Sequence, residues 1–324
     1  MAHALNQLLH TSSMDVVVLL RSTYLSLATL VLVLYAIPPL RTRFMSYGAR
    51  QNSPSTPQKP TGRNGKGNPL AALLDQVANI CVPHNWFASF YAVSVCCSLY
   101  WATELMFRGP ALVAASHLQV ARSQSMTLKQ VQVAWLMMFA QGSRRLLECL
   151  SLSKPSQSQM WVGHWALGIL FYVCTNVAVW IEGIPAIEGH TFSSRDIAFS
   201  PPSFRSFAGF LIFILASGFQ HDCHAYLSSL KSRGQGVAAT YCMPDHPAWN
   251  VSLTPHYFAE CLIYLAIAIV AAPQGHVLNV TMLCALTFVA VNLGVTADGT
   301  KKWYTQKFGV EQTKGRARMI PFVY

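Results

Sequence analysis

Ionisable side chains inside apolar segments are the residues of this sequence best placed to do chemistry. Glu260 lies in SLTPHYFAECLIYLAIAIVAA, which begins at Ser252 and is long enough to cross a bilayer. A carboxylate at membrane depth costs about 2.5 kcal/mol or more unless it is paired or lines a polar cavity. It therefore belongs either to a polar site or to a helix end that reaches interfacial water.

A second apolar segment contains SRRLLECL, which places Arg145 and Glu148 three residues apart. At that spacing the two side chains can form an ion pair on one helix face. A buried pair of this kind serves equally well as a link between helices or as part of an active site.

The polar stretch 221–252, between two apolar segments, carries many groups that can bind a ligand. They are His221, Asp222, His224, Lys231, Arg233, Tyr241, Asp245 and His246. The two histidines of the H-x-x-H motif at 221 and 224 are not expected to lie well on one helix face with a third metal ligand nearby. No metal is therefore expected.

No glycine-rich phosphate loop and no nucleophile elbow occurs in the sequence, so a bound nucleotide would have to lie between helices. Its phosphates would need cations at the membrane rim. The candidates are Lys154, Lys231, Arg233 and Arg316. Ordinary positive charges of cytosolic loops account for about half of them.

The elements that must position these groups are membrane helices. Hydrophobic residues make up 52% of the 324 residues and charged residues only 11%, which is unusual for a soluble globular protein. Seven segments approach the length of about 20 residues that spans a bilayer. They are 14–40, 86–107, 128–150, 160–181, 204–220, 253–272 and 277–297. The sequence predicts an all-α, polytopic membrane bundle of about seven transmembrane helices.

Lysine and arginine are concentrated in segments 41–69, 151–159 and 221–252 and in the residues after Ala297. Because positive residues stay on the cytoplasmic side, this distribution predicts a lumenal N-terminus and a cytosolic C-terminus. The net charge of +11 is therefore attributed to cytosolic loops that contact anionic lipid, and not to binding of nucleic acid. The nine cysteines contain no C-x-x-C pair and are interpreted as small buried hydrophobic residues.

Two regions differ in composition. Residues 1–69 combine the first transmembrane helix with a flexible, basic cytosolic loop rich in Gly, Pro and Ser. Residues 70–324 form the membrane domain proper, beginning with an apolar run, 70–83, that is too short to span.

Five motifs occur in a fixed order over residues 82–324. They are VPHNWFASFYAVSV, SRRLLECL, QHDCHAYLSSLK, VSLTPHYFAE and KKWYTQKF followed by GRARMIPFVY. Together they resemble the steroid 5α-reductase family, in particular its polyprenol (polyprenal) reductase branch.

The resemblance implies a seven-helix bundle of the endoplasmic reticulum membrane that binds NADPH from the cytosol in its C-terminal half, about 204–324. By position, the NADPH site would comprise Gln220, His224, Lys231, Tyr241, His256, Glu260 and Tyr304, with Lys154 and Arg316 as rim cations. The family usually has Asn where this chain has His256. Many members have His where this chain has Thr300, so a cofactor contact from Thr300 is not expected.

The implied reaction is NADPH-dependent saturation of the α,β double bond of polyprenal, a step towards the dolichol used in protein N-glycosylation. The residues that would polarise the carbonyl are Glu148 and Arg145, with Tyr91 as a further donor. The expected partners are a long-chain polyisoprenoid and membrane lipid, with no nucleic acid, metal or obligate protein partner. The alternatives are a trans-2-enoyl-CoA or 3-oxo-Δ4-steroid reductase, and a non-enzymatic seven-span receptor or transporter.

Overall fold

The computed structural model describes residues 15–45, 69–118, 124–153, 158–193, 196, 201–233 and 241–324, with backbone only for 231–233. The helices of its first half are α1 (Val16–Ala36), α2 (Pro38–Phe44), α3 (Pro69–Ala78), α4 (Phe87–Phe107), α5 (Pro110–His117) and α6 (Leu128–Leu152). Those of its second half are α7 (Val162–Ala178), α8 (Ile184–Glu188), α9 (Phe204–Arg233), α10 (Pro247–Val251), α11 (Pro255–Val270) and α12 (Val280–Phe308). Two short strands are also present, β1 (Cys81–Pro83) and β2 (Gln159–Trp161).

The long helices pack side by side as a bundle, in which α9 runs along α11, α12 along α1, and α4 along α6 and α7. The outward faces of these helices are apolar. Exposed examples on α9 are Phe204, Phe207, Phe210, Leu211, Ile214 and Leu215. An apolar exterior around a helical core is what a bilayer solvent requires, so the predicted all-α membrane bundle fits the structure.

Four helical segments of the described residues are long and apolar enough to cross a membrane. They are Val16–Ala36, His84–Phe107, Val162–Glu188 and Val280–Phe308. The helices α6 and α9 are long enough but carry several charges and polar groups, and α11 is apolar but has 16 residues. The count of seven spans and the predicted orientation therefore stay predictions.

Helix bounds differ from the sequence prediction at two places that matter for the site. The helix α9 continues through His221 and His224, where the sequence predicts a polar loop. No Gly or Pro occurs between Gly218 and Gly234, so nothing in this stretch breaks the helix. The helix α11 is shorter than predicted. Proline is common at the first position of a helix, where this helix has Pro255, and disfavours helix in the residue before it, which limits the helix ahead of Pro273.

The short segment 70–83 forms α3 and then β1, which pairs antiparallel with β2, Cys81 opposite Trp161. The indole Nε1 of Trp161 donates to the carbonyl of Val77 at 3.0 Å. The strand pair thus joins the start of α4 to the start of α7.

Buried carboxylates hold the bundle near both ends of α1. Near its start, Glu182 accepts hydrogen bonds from Arg21 at 3.3 Å and from Thr281 at 2.6 Å. Near its end, Tyr35 donates to Asp298 of α12 at 2.5 Å. Each carboxylate is 5% exposed, so its hydrogen bonds offset a substantial desolvation cost.

All nine cysteines lie in the described part of the chain, and none forms a disulfide. Cys223 is the one that is fully buried, whereas Cys96 and Cys242 are exposed and the other six are half-buried. The interpretation of the cysteines as buried residues is therefore correct for Cys223 alone. In a bilayer, an exposed thiol on an apolar helix contacts lipid.

Candidate active site

Glu148 is the centre of the densest polar cluster among the described residues. It is 5% exposed and lies one turn before the end of α6. Arg144 contacts its Oε1 from four residues earlier, and Arg145 contacts its Oε2 from three residues earlier. The predicted Arg145–Glu148 ion pair is present, and a second guanidinium shares the same carboxylate.

Two histidines of α9 reach the same carboxylate from the neighbouring helix. Nδ1 of His221 lies 2.9 Å from Oε1 of Glu148, and Nδ1 of His224 lies 2.8 Å from Oε2. The H-x-x-H spacing therefore does bring both imidazoles to one place, contrary to the sequence-based expectation. Residues three apart on a helix are neighbours on its surface. In the described part of the chain, no group of three or more His, Cys, Asp or Glu side chains has the geometry to hold a metal ion.

Tyr91 joins the cluster from the first turns of α4. Its hydroxyl oxygen accepts hydrogen bonds from Nε of Arg145 at 3.2 Å and from Nη2 at 2.8 Å. The same guanidinium lies 4.8 Å from the centre of the Tyr91 ring, and the ring packs edge-on against Tyr172 at 5.4 Å. With 7% of its surface exposed, Tyr91 is a buried phenol held in a fixed orientation by a cation.

Glu260 on α11 has a different environment, because its hydrogen-bond donors among the described residues are amides rather than cations. Nε2 of Gln141 donates to its Oε2 at 3.2 Å, and Nε2 of Gln220 donates to the same oxygen. Arg144 links this pair to the first cluster, because its Nη2 donates to both Gln141 and Gln220. Two arginines and two glutamates thus form one continuous network across three helices.

His256 lies one turn before Glu260 and continues the site towards α10. Its carbonyl accepts a hydrogen bond from Nε2 of Gln220 at 3.3 Å. The ring centre lies 5.5 Å from that of His224, and the ring stacks on Trp249 at 6.2 Å. Its Nδ1 is buried with no hydrogen-bond partner, so a polar group of a ligand could satisfy it.

The remaining predicted cofactor residues form a second group around α12 and the tail, here residues 309–324. Tyr241 is exposed and packs on Trp303 at 5.2 Å, whereas Tyr304 is buried against Phe308 at 5.8 Å. Nη1 of Arg316 is buried without a partner.

Two predicted cofactor cations have no described side chain. Lys154 lies outside the described residues. Lys231 lies in the last turn of α9, where the structure describes the backbone only. Their proposed role at the cofactor therefore stays a prediction.

Sequence reasoning missed Arg144 and Gln141, which are central to the network. A signal was present, because Gln141, Arg145 and Glu148 follow each other at intervals of four and three residues along one helix face. The sequence indicates His221 as a ligand-binding group but does not predict its contact with Glu148. Which groups of α9 and α11 meet this face depends on how the helices pack, and the sequence does not specify that.

The polar residues converge at one end of the bundle. The site combines the start of α4, the end of α6, the middle of α9 and the start of α11. Such a site offers a phenol hydroxyl beside a guanidinium, carboxylates held by fixed donors, and imidazole and arginine nitrogens with unused hydrogen-bonding capacity. This chemistry suits a ligand that carries a carbonyl together with amide or phosphate groups.

Comparison with known proteins identifies relatives of this chain. The profile of the family described as 3-oxo-5-alpha-steroid 4-dehydrogenase matches residues 158–324, just over half of the chain. A polyprenal reductase of Ailuropoda melanoleuca is 24% identical over 330 residues, covering 94% of this chain and 96% of that protein. The human polyprenal reductase is 25% identical over 254 residues, covering 75% and 78%. A polyprenal reductase of Caenorhabditis elegans is 26% identical over 262 residues, covering 76% and 81%.

Proposed function

Because the chain belongs to the 3-oxo-5-alpha-steroid 4-dehydrogenase family, we propose that it is an NADPH-dependent reductase of the α,β double bond of polyprenal. The similarity to polyprenal reductases along 94% of the chain is the observation that carries this proposal. The product would enter the route to dolichol and support protein N-glycosylation. Residues 70–324 would form the catalytic membrane domain, and the endoplasmic reticulum is the membrane where this chemistry is needed.

The residues present fit a nicotinamide dinucleotide. His256 and Arg316 each have a buried nitrogen without a protein partner, and a bound ligand with amide and phosphate oxygens would satisfy both. Gln220 and Glu260 would face the polar end of this ligand. Arg316 would favour the extra phosphate of NADPH over NADH, because a guanidinium binds phosphate with two hydrogen bonds.

The cofactor supplies the hydride when it is bound, and the protein orients and polarises the substrate. Arg145 donates two hydrogen bonds to the oxygen of Tyr91, so the phenol's own proton is available to a substrate carbonyl. Negative charge that develops on that carbonyl oxygen would be stabilised by the phenol and the guanidinium behind it. Glu148 keeps both arginines in place and would act through them as a positioning residue.

The substrate's isoprenoid chain would remain among the apolar helices while its aldehyde reaches the Tyr91 hydroxyl. Tyr91 lies near one end of α4, so the reactive group would sit at the edge of the bilayer, close to a water-soluble cofactor. This arrangement explains why the polar network lies at one end of the bundle rather than at its centre.

A parallel substrate assay tests the proposal. Purified, detergent-solubilised protein is given NADPH with polyprenal, polyprenol, a 3-oxo-Δ4-steroid or a 2-enoyl-CoA, and NADPH consumption and product mass are recorded. We expect turnover with polyprenal and a mass gain of two hydrogens. Activity on the steroid or the thioester alone would retain the reductase and change its substrate. A lack of NADPH consumption with all four would contradict the enzyme assignment.

A further inference from the structure

A lateral groove on the outer face of the bundle lies away from the Glu148 network. It runs between α1 and α12 and is closed at one end by the tail, with a volume of about 560 Å³. Its lining includes Leu32, Leu283, Leu286, Val291, Met319 and Tyr324. No polar side chain of the site described above contributes to it.

The groove has the length of one lipid chain. Its α12 side extends from Leu283 to Val295, which at 1.5 Å per residue is about 18 Å. One leaflet of the hydrocarbon core is about 15 Å thick. The lining contains Thr287 as its one polar side chain before the tail, so a hydrocarbon chain could occupy the groove along its full length.

The same helix face becomes charged immediately beyond the apolar part. Asp298 lies one turn after Gly294, and Lys302 lies two turns after Val295, so both continue the face that lines the groove. Asp298 accepts hydrogen bonds from Lys302 at 2.6 Å and from Arg318 of the tail at 2.9 Å. Two cations therefore share one carboxylate at this end.

Both cations remain accessible although they are paired. The side chains of Lys302 and Arg318 are 58% and 39% exposed, whereas that of Asp298 is 7% exposed. Arg41 adds a third positive charge nearby, 5.4 Å from the ring of Tyr35, whose hydroxyl donates to Asp298. A net positive rim next to an apolar groove is complementary to a ligand with an anionic head and a hydrocarbon chain.

We propose that the lateral groove binds one anionic phospholipid from the leaflet that meets the end of α12. One acyl chain lies along α12, and the phosphate contacts Lys302 and Arg318. Tyr324 separates the two zones, since its ring packs under Arg318 at 5.1 Å and its hydroxyl donates to the carbonyl of Gly294 at 3.3 Å. This site does not depend on the reductase assignment.

Native mass spectrometry of the full-length protein tests the proposal. The detergent-solubilised protein is incubated with equal amounts of phosphatidylglycerol and phosphatidylcholine of the same acyl chains, and the retained lipid is counted. We expect one phosphatidylglycerol to be retained preferentially. One cation near a lipid surface changes the affinity for anionic lipid about fivefold. Lys302→Gln should therefore reduce the preference for phosphatidylglycerol about fivefold, and the further change Arg318→Gln should abolish it.

Lys314→Gln is the matched control, because it removes an exposed tail charge that does not line the groove. It should leave the preference unchanged. If the double variant does not fold, Lys302→Gln alone decides, since its side chain is more than half exposed. Leu286→Trp, which fills the groove, should reduce retention of both lipids.

Three results would overturn the proposal. The wild-type protein could retain both lipids equally, or Lys302→Gln could leave the preference intact. Alternatively, NADP⁺ could displace the phosphatidylglycerol, which would assign the two cations to the cofactor phosphate instead of a lipid head group.

Discussion

The two glutamates of the network differ in what compensates their charge. Glu148 faces two guanidinium groups and two imidazoles, whereas Glu260 faces two amides. Both amides bind the same oxygen of Glu260, Oε2, so the other oxygen is the one that a ligand donor would meet. Glu148 is therefore suited to positioning, and Glu260 to ligand binding.

Replacing Glu260 by Gln tests this division of roles. The substitution keeps the size of the side chain and leaves one oxygen to accept from Gln141 and Gln220. The other oxygen becomes an NH2 group, which meets the ligand donor as a second donor, and this mismatch in a half-buried site costs about 1–3 kcal/mol. We expect the Kd for NADPH to rise about tenfold, measured by titration of the purified protein, with kcat less affected. Glu311→Gln, which changes an exposed carboxylate of the tail, is the control. An unchanged Kd in Glu260→Gln would remove this residue from the cofactor site.

Tyr91→Phe tests the polarising role of the phenol. The ring contact with Tyr172 is kept, while the oxygen that accepts from Arg145 is lost. We expect kcat to fall by about 10²–10³, the effect of losing one donor to a developing oxyanion, with the KM for NADPH little changed.

Tyr100→Phe is the matched control, because it removes a hydroxyl from an exposed position of the same helix. Steady-state kinetics of both variants decide the matter. A Tyr91→Phe enzyme with wild-type kcat would show that another group polarises the carbonyl.

At the scale of elements, the sequence predicts which helices exist better than where they end. The apolar segments predict the starts of α1, α4 and α12 to within a few residues, because long apolar runs define membrane helices. The ends were less predictable, because polar residues at 221–233 and 298–308 continue their helices beyond the apolar run. Helix continuation there depends on tertiary packing and on the absence of breakers, not on hydrophobicity.

The candidate site was predicted in part, and for a specific reason. Spacing along one helix predicts Arg145 and Glu148, and a carboxylate inside an apolar segment predicts Glu260. The polar stretch after the fifth segment includes His224, and the family resemblance adds Gln220. Contacts between helices, such as Arg144 with Gln220 or Arg145 with Tyr91, require the packing itself. Side-chain periodicity identifies a face of a helix but not the partner that the face meets.

The packing of α9 against α11 depends on a close approach at Gly209. A Cβ at this position would lie 2.8 Å from Cγ2 of Val270 and 3.1 Å from the carbonyl oxygen of Ala266, and the backbone oxygen cannot move aside. Gly209→Ala should therefore separate the two helices that carry Gln220 and Glu260. We expect a lower Tm and weaker NADPH binding, both measurable in detergent.

Gly218 provides the control on the same helix. Nothing lies within 4 Å of a Cβ built there, and alanine favours a helix over glycine by about 1 kcal/mol. Gly218→Ala should leave the Tm unchanged or raise it. Equal effects at the two glycines would mean that helix propensity, and not the close approach, governs the stability of this pair.

At the scale of the whole molecule, the buried carboxylates Glu182, Asp298 and Glu148 lie towards the two ends of the bundle. The contacts of Glu182 lie near the start of α1, and those of Asp298 lie near its end. The Glu148 network belongs to the second end, because α4 and α11 start there and α6 ends there. In the proposed function, the apolar chain of the substrate would lie along the bundle, while the proposed cofactor site would face one aqueous compartment.

The predicted orientation places that compartment in the cytosol, and thiol labelling tests it. Cys242 is exposed and precedes α10 at the site end, whereas Thr191 is exposed beyond α8 at the opposite end. In sealed microsomes the cytosolic face is outward. A chain that keeps only Cys242 should react with a membrane-impermeant maleimide at once, and a chain whose single cysteine is Thr191→Cys should react only after detergent.

The reverse pattern would place the cofactor site in the lumen, where cytosolic NADPH could not reach it. Labelling of both before detergent would mean that the segments from α8 to α10 do not cross the membrane between these two positions.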